Sequence, residues 1–229
     1  MDAEHLLRVL QLGDSLFPIG SFSWSDGLET ATASGRIADD AGLEAWTRQY
    51  LDGMFTPCEG LAAKRAHQYS VAGEWQRLRE LDEELTALRP AASTRASSVS
   101  IGRRLLATAA AVHADAALAP LHALVARDDR SGNVAVVHGA LFAALGVGER
   151  HAVAGFAYTR LAGIVSAALR LMPIGQVQGQ VVLGRMLARV PAAVDAVIAA
   201  GDAPLRAFAP LVDVQQMNHR DVYSRLFRS

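Results

Sequence analysis

The 229-residue chain is predicted to be all-α, a single compact bundle of roughly ten helices. Alanine and leucine dominate, β-branched runs are short, and apolar residues recur at spacings of three and four, the period of a helix with one buried face. Hydrophobic residues make up 51% of the chain and charged ones 20%, enough to bury a sizeable core within one domain. No repeat of fixed period and no long linker interrupts this pattern, so residues 1–217 are expected to form one domain and 218–229 a tail.

The elements follow in order. A first helix is expected over about Ala3 to Leu12, with Leu6, Leu7 and Leu10 on one face and Glu4, Arg8 and Gln11 on the other. Asp14 to Ser25 is irregular. The Asp26 carboxylate, with Glu29 three residues on, has capping-box spacing and predicts a second helix start near Asp26, ending at Gly35. A third helix, about Ala41 to Phe55, turns Leu43, Trp46, Tyr50, Leu51 and Met54 inward. Thr56-Pro57-Cys58-Glu59 then combines an N-cap hydroxyl, proline at the first helical position and glutamate at the third, so a new helix is expected to begin there and run to about Val71.

Past Gly73 an amphipathic helix carries Trp75, Leu78, Leu81, Leu85 and Leu88 as far as Arg89-Pro90. Ala91 to Ser100 is small and serine-rich, read here as a flexible connection in preference to a helix start exposed to a partner. Ile101 to His113 is helical, Pro120 interrupts the next apolar segment, and Asp128 to Asn133 (DDRSGN) is a surface loop. Helices follow at about Val134 to Leu145, Glu149 to Leu171, Gly175 to Arg189, Pro191 to Ala200 and Leu205 to Met217, with a bend forced at Pro173-Ile174-Gly175.

Twenty-two Lys and Arg against twenty-three Asp and Glu give a formal charge of −1, so no net field draws the molecule to nucleic acid, and Arg103-Arg104 is too small a basic cluster for a recognition helix. Cys58 stands alone, which excludes an internal disulfide and fits a reducing compartment. The charged start, Met1 to Arg8, is unlike a secretory signal, and the most membrane-like run, Val134 to Val147, has the length of a buried core helix. A cytoplasmic protein that does not enter a membrane is expected.

Candidate chemistry is sparse. None of the seven histidines forms the i, i+4 pair with an adjacent glutamate that a helical zinc protease uses. His113 with Asp115, and Cys58 with His67, are the nearest approaches to ligand clusters, and both are poorly spaced. No nucleophile elbow, phosphate loop or dinucleotide fingerprint occurs. Cys58 near a helix N-terminus could support a small all-α thiol hydrolase, but no nearby base accompanies it.

Two segments fit a plain bundle badly. Ser15 to Glu29 (SLFPIGSFSWSDGLE) places Phe17, Ile19, Phe22 and Trp24 among Ser, Gly and Pro, and these aromatics must bury either against the chain's own core or in a subunit contact. The terminal Tyr223 to Ser229 (YSRLFRS) has the Tyr, Phe and Arg composition of interface anchors, and docking on a partner is favoured over a frayed end.

Gln11-Leu12, Ser15 to Glu29, Leu171 to Gln176 (LMPIGQ) with Gly179-Gln180, and the closing YSRLFRS occur in an order that resembles the urease accessory protein UreF family over almost the whole chain. The resemblance implies a non-enzymatic, dimerising adaptor. It would join the accessory protein UreD (also called UreH) and the GTPase UreG into the complex that loads nickel into apo-urease, gating the GTPase while nickel passes through and no cofactor stays bound. It also implies partner-binding roles for Glu29 and Arg170 towards the GTPase. For Tyr223, Ser224, Arg225, Leu226, Phe227 and Arg228 it implies a tail that becomes ordered on UreD. Gly102 to Leu106 (GRRLL) agrees with the family without assigning a role. Ser93 stands where many members have glutamate, and Asn218-His219-Arg220 where others read R-H-E, so the acids expected at Ser93 and Arg220 are missing.

Overall fold

Helix α8 (Val134–Ala144) is the axis of the structure, buried along every residue from Val134 to Phe142 as its uniformly apolar sequence requires. The computed structural model describes residues 2–113, 116–223 and 225–227, so Ser224, Arg228 and Asp115 of the sequence reading lie outside the described residues. Around α8 are α1 (Ala3–Gly13), α2 (Leu28–Ala33), α3 (Asp40–Tyr50), α4 (Gly60–Ala72), α5 (Trp75–Ala87), α6 (Ala92–Val112), α7 (Ala119–Ala126), α9 (Glu149–Leu171), α10 (Gln176–Leu187), α11 (Val190–Ala199) and α12 (Pro210–Asn218). Among the described residues there is no strand, and the fold is all-α.

Helices α4, α6 and α9 pack directly on α8. The α4 crossing is close because Gly139 has no side chain: a Cβ there would stand 2.0 Å from the Ala63 carbonyl oxygen. Tyr50, Phe55, Phe142 and Phe156 are the largest fully buried side chains, and Phe55 meets Phe156 with ring centroids 5.7 Å apart. Helix α9 is long and apolar enough to cross a membrane, yet half of its most apolar 18-residue stretch is buried in the bundle.

Five expectations are corrected. Thr56 starts no helix: α3 runs through a π-helical segment, Leu51–Glu59, straight into α4, and the Thr56 hydroxyl donates to the Leu51 carbonyl instead of capping. Pro57 has no N–H to give to the helical ladder. On this segment the Gly53 oxygen accepts from Phe208 N at 2.9 Å, and the Pro57 oxygen from Arg206 N at 3.0 Å. Residues 203–209 are therefore a non-helical strap laid along the π-segment, where a helix from Leu205 was expected; α12 begins only at Pro210. Gly53 is required by this approach, since a Cβ would meet the Phe208 oxygen at 2.4 Å.

The serine-rich Ala91–Ser100 stretch is the first half of α6 and not a connection. Small residues there let α6 lie against the loop before α8: Thr94, Ser97 and Ser98 are buried, and Ser98 Oγ accepts from Val134 N at 3.2 Å. Pro120 opens α7 in its first turn and interrupts nothing. Asp26 does not cap α2, whose N-cap is Gly27 with no side-chain bond; the Asp26 carboxylate is taken by Arg160 at 2.7 Å.

Two predictions follow from this packing. Gly53→Ala should cost about 1–3 kcal/mol, the usual range for overpacking, and hydrogen exchange should localise the damage to the Phe208 amide. The second concerns acid. Burial lowers the pKa of His138 from 6.5 to about 3, against the counter-pull of its bond to the Ala152 carbonyl. With the folded value depressed, the unfolded chain binds the extra proton, so stability falls as pH drops from about 6.5 towards 3. Urea midpoints measured from pH 7 to pH 5 should therefore decline, and His138→Gln should flatten that decline.

Candidate functional site

The turn Trp24-Ser25-Asp26-Gly27 delivers Glu29 into the interior. Asp26 has φ 50° and Gly27 φ 88°, consecutive left-handed residues that fold the chain sharply before α2. Gly27 also permits the approach of α12, since a Cβ there would lie 3.0 Å from Gln216 N. Gln216 Nε2 donates to the Asp26 carbonyl at 3.4 Å, and Ser25 Oγ accepts from Glu29 N at 3.4 Å.

Glu29 is 4% exposed. Its carboxylate accepts from His219 Nε2 at 2.8 Å, from Leu226 N at 2.5 Å and from Phe227 N at 3.2 Å. These are charge-assisted bonds, and two of them grip the main chain of the C-terminal tail. On the far side of the tail, Arg170 stacks its guanidinium 4.4 Å from the Phe227 ring centroid and donates to the Phe22 carbonyl at 2.6 Å. Glu29, Arg170 and Phe227, singled out separately in the sequence, thus form one tail dock joining α2, α9 and the last described residues. Phe227 is buried in the core, whereas Tyr223 is fully exposed and Leu226 is 55% exposed. Arg225 is exposed and, with Arg220, Ser93 and His219, lines a cleft of about 350 Å³ beside the dock.

The three aromatics of Ser15 to Glu29 are not brought together. Phe17 is buried in the chain's own core and Trp24 packs half-buried against it, so the loop folds back on its own bundle; Phe22 alone is left in solvent, 69% exposed. Glu29 faces the tail and not the surface.

Behind the dock lies a buried charge cluster. Glu59, 1% exposed, pairs with Arg89 at 2.6 Å and with Arg160 Nε at 3.3 Å, and accepts the Tyr50 hydroxyl proton. Burial would raise its pKa, but Arg160 and Arg89 outweigh that and hold the carboxyl at about 2. Arg160 also donates from Nε to the Tyr50 oxygen at 2.8 Å, and its other arm reaches Asp26.

Cys58 sits beside this cluster. Burial first, then the Glu59 charge, pushes its thiol up to about 12, so it is not a nucleophile at neutral pH. No group of three or more His, Cys, Asp or Glu among the described residues is arranged to hold a metal ion. Sequence reasoning missed His219, Asp26 and Arg160 as parts of the site. Their partners lie 134 to 190 residues away, and no local spacing encodes such a pairing.

Comparison with known proteins identifies the family. A profile of the family described as UreF matches residues 37–187. The urease accessory protein UreF of Kocuria rhizophila is 32% identical, with 98% of this chain and 97% of that protein covered. The protein of the same name from Methylibium petroleiphilum is 33% identical over 99% and 95%, and that from Azorhizobium caulinodans 36% over 93% and 90%. The chain belongs to the UreF family of urease accessory proteins.

Proposed function

We propose that this chain is a non-catalytic, homodimeric adaptor of urease maturation in the cytoplasm. It joins a UreD/UreH-type accessory protein and a UreG-type GTPase to apo-urease, gates the GTPase and lets nickel through as cargo. The observation that carries this reading is the tail. Glu29 grips its backbone at Leu226 and Phe227, which leaves the Tyr223 and Leu226 side chains in solvent. Nearby on the chain, Phe208, Val214 and Met217 are 79%, 48% and 53% exposed. A tail held by its backbone and preceded by this much exposed apolar surface suits a protein partner. Here the UreD-type protein takes the tail side, and the GTPase the side of Arg170 and Phe22.

The rival thiol-hydrolase reading loses its support with a protonated, buried Cys58. Cys58→Ser is expected to leave urease activation unchanged, which a coupled maturation assay reads directly.

Deleting residues 223–229 should abolish co-purification with the UreD-type protein while circular dichroism stays unchanged. Retained complex formation would remove the tail from the reading. Arg170→Ala should weaken GTPase recruitment by at least tenfold. Glu29→Ala, whose carboxylate is buried under the tail, should release the tail and weaken co-purification of the UreD-type protein, with a stability loss of about 1–3 kcal/mol for each buried donor it strands.

A further inference from the structure

We infer that Arg160 is the positioning residue of the tail dock: by clamping Asp26 it fixes the strained turn that presents Glu29 to the tail. Among the described residues the polar partners of Arg160 are Asp26, Tyr50 and Glu59 and none is in the tail, so it acts through the turn. Its side chain is 14% exposed and divides its donors, one arm to Asp26 at 2.7 Å and Nε to Tyr50 and Glu59. Glu59 holds a second arginine, Arg89, but Asp26 has no cation other than Arg160 among the described residues. The two halves of this contact are therefore unequal. Without Asp26, Arg160 stays paired to Glu59 and the bundle's interior charges remain satisfied. Without Arg160, the turn has nothing to hold its carboxylate.

The turn needs such an anchor. A non-glycine residue at φ 50° sits in a sparsely populated region that persists only when its surroundings hold it. Leu28 N and Glu29 N bond back to Ser25, at 3.0 Å to its carbonyl and 3.4 Å to its Oγ, but at Asp26 itself the bond that accompanies the Arg160 clamp is the one from Gln216 Nε2 to its carbonyl, long at 3.4 Å. Three residues later Glu29 must aim one carboxylate at His219, Leu226 N and Phe227 N together, and a small rotation of α2 breaks that convergence. Arg160 therefore couples the charge cluster on Glu59 to the order of the C-terminus. The consequence for assembly rests on the reading of the tail as the partner-docking element; the positioning itself does not.

Asp26→Asn in the full-length chain tests this. Asparagine tolerates the left-handed conformation as aspartate does, so the variant removes the charge and keeps the backbone allowed. Hydrogen exchange should quicken at least tenfold in the peptide spanning residues 219–229, with α8 unchanged. Arg160→Lys, a point charge unable to serve both acids, should release the same peptide. Unchanged tail exchange in Asp26→Asn overturns the inference, and so does an equal acceleration in α8, which would mark a merely structural pair. Exchange is measured without a partner, so the two readings fail separately. Tail release with undiminished co-purification of the UreD-type protein would refute the docking role and leave the positioning intact.

Discussion

A carboxylate sealed in the middle of a helical bundle has to be neutralised where it stands, and much of this molecule is arranged around that requirement at Glu59. Arg89 reaches it from the end of α5, Arg160 from α9 and Tyr50 from the last turn of α3. A buried ion pair returns little net stability, because desolvating both charges offsets their attraction. Its effect here is on geometry. The α3–π-segment helix, the end of α5 and α9 are tied to one point, and the spare arm of Arg160 carries that point outward to Asp26.

The same ten residues control the other end of the tail. Pro57 breaks the helical ladder between Tyr50 and Glu59, and the carbonyls of Gly53 and Pro57 are completed by the 203–209 strap. That strap leads into α12, which ends at Asn218 and hands the chain to His219. The receptor for the tail at Glu29 and the base from which the tail springs are thus both referenced to the π-segment. The strap N–H groups give both oxygens a partner within the protein.

What the sequence disclosed divides along the range of the interactions. Helices α8 and α9 were legible almost to the residue, because their apolar pattern is continuous and nothing outside competes for their backbone. Thr56-Pro57-Cys58-Glu59 was misread because its four residues fit a helix start, and only a strap about 150 residues later could complete a helix that continues through a proline. Asp26 failed as a cap for a related reason: Arg160 is a stronger partner for a carboxylate than a backbone amide is. The serine-rich start of α6 looked like a connection because the demand for small side chains comes from the loop it packs on. As site residues Glu29 and Arg170 are given by the resemblance alone, and their convergence on Phe227 is a property of the folded chain.

The chemistry of the dock explains how a nearly neutral chain can hold its C-terminal tail by the backbone. Glu29 recognises two main-chain N–H groups, so side chains at 223, 225 and 226 stay available to another surface while the backbone is held. Ordering a chain end costs about 1–2 kcal/mol per residue. A hydrogen bond to a charged group returns about 1.5–3 kcal/mol, and burying Phe227 adds about 1.5–3 kcal/mol. Gains and costs over the tail are therefore of similar size, and the docked state is close to balance. The strained turn at Asp26 lies between that balance and the rigid interior, and through it the charge cluster sets how tightly the tail is held.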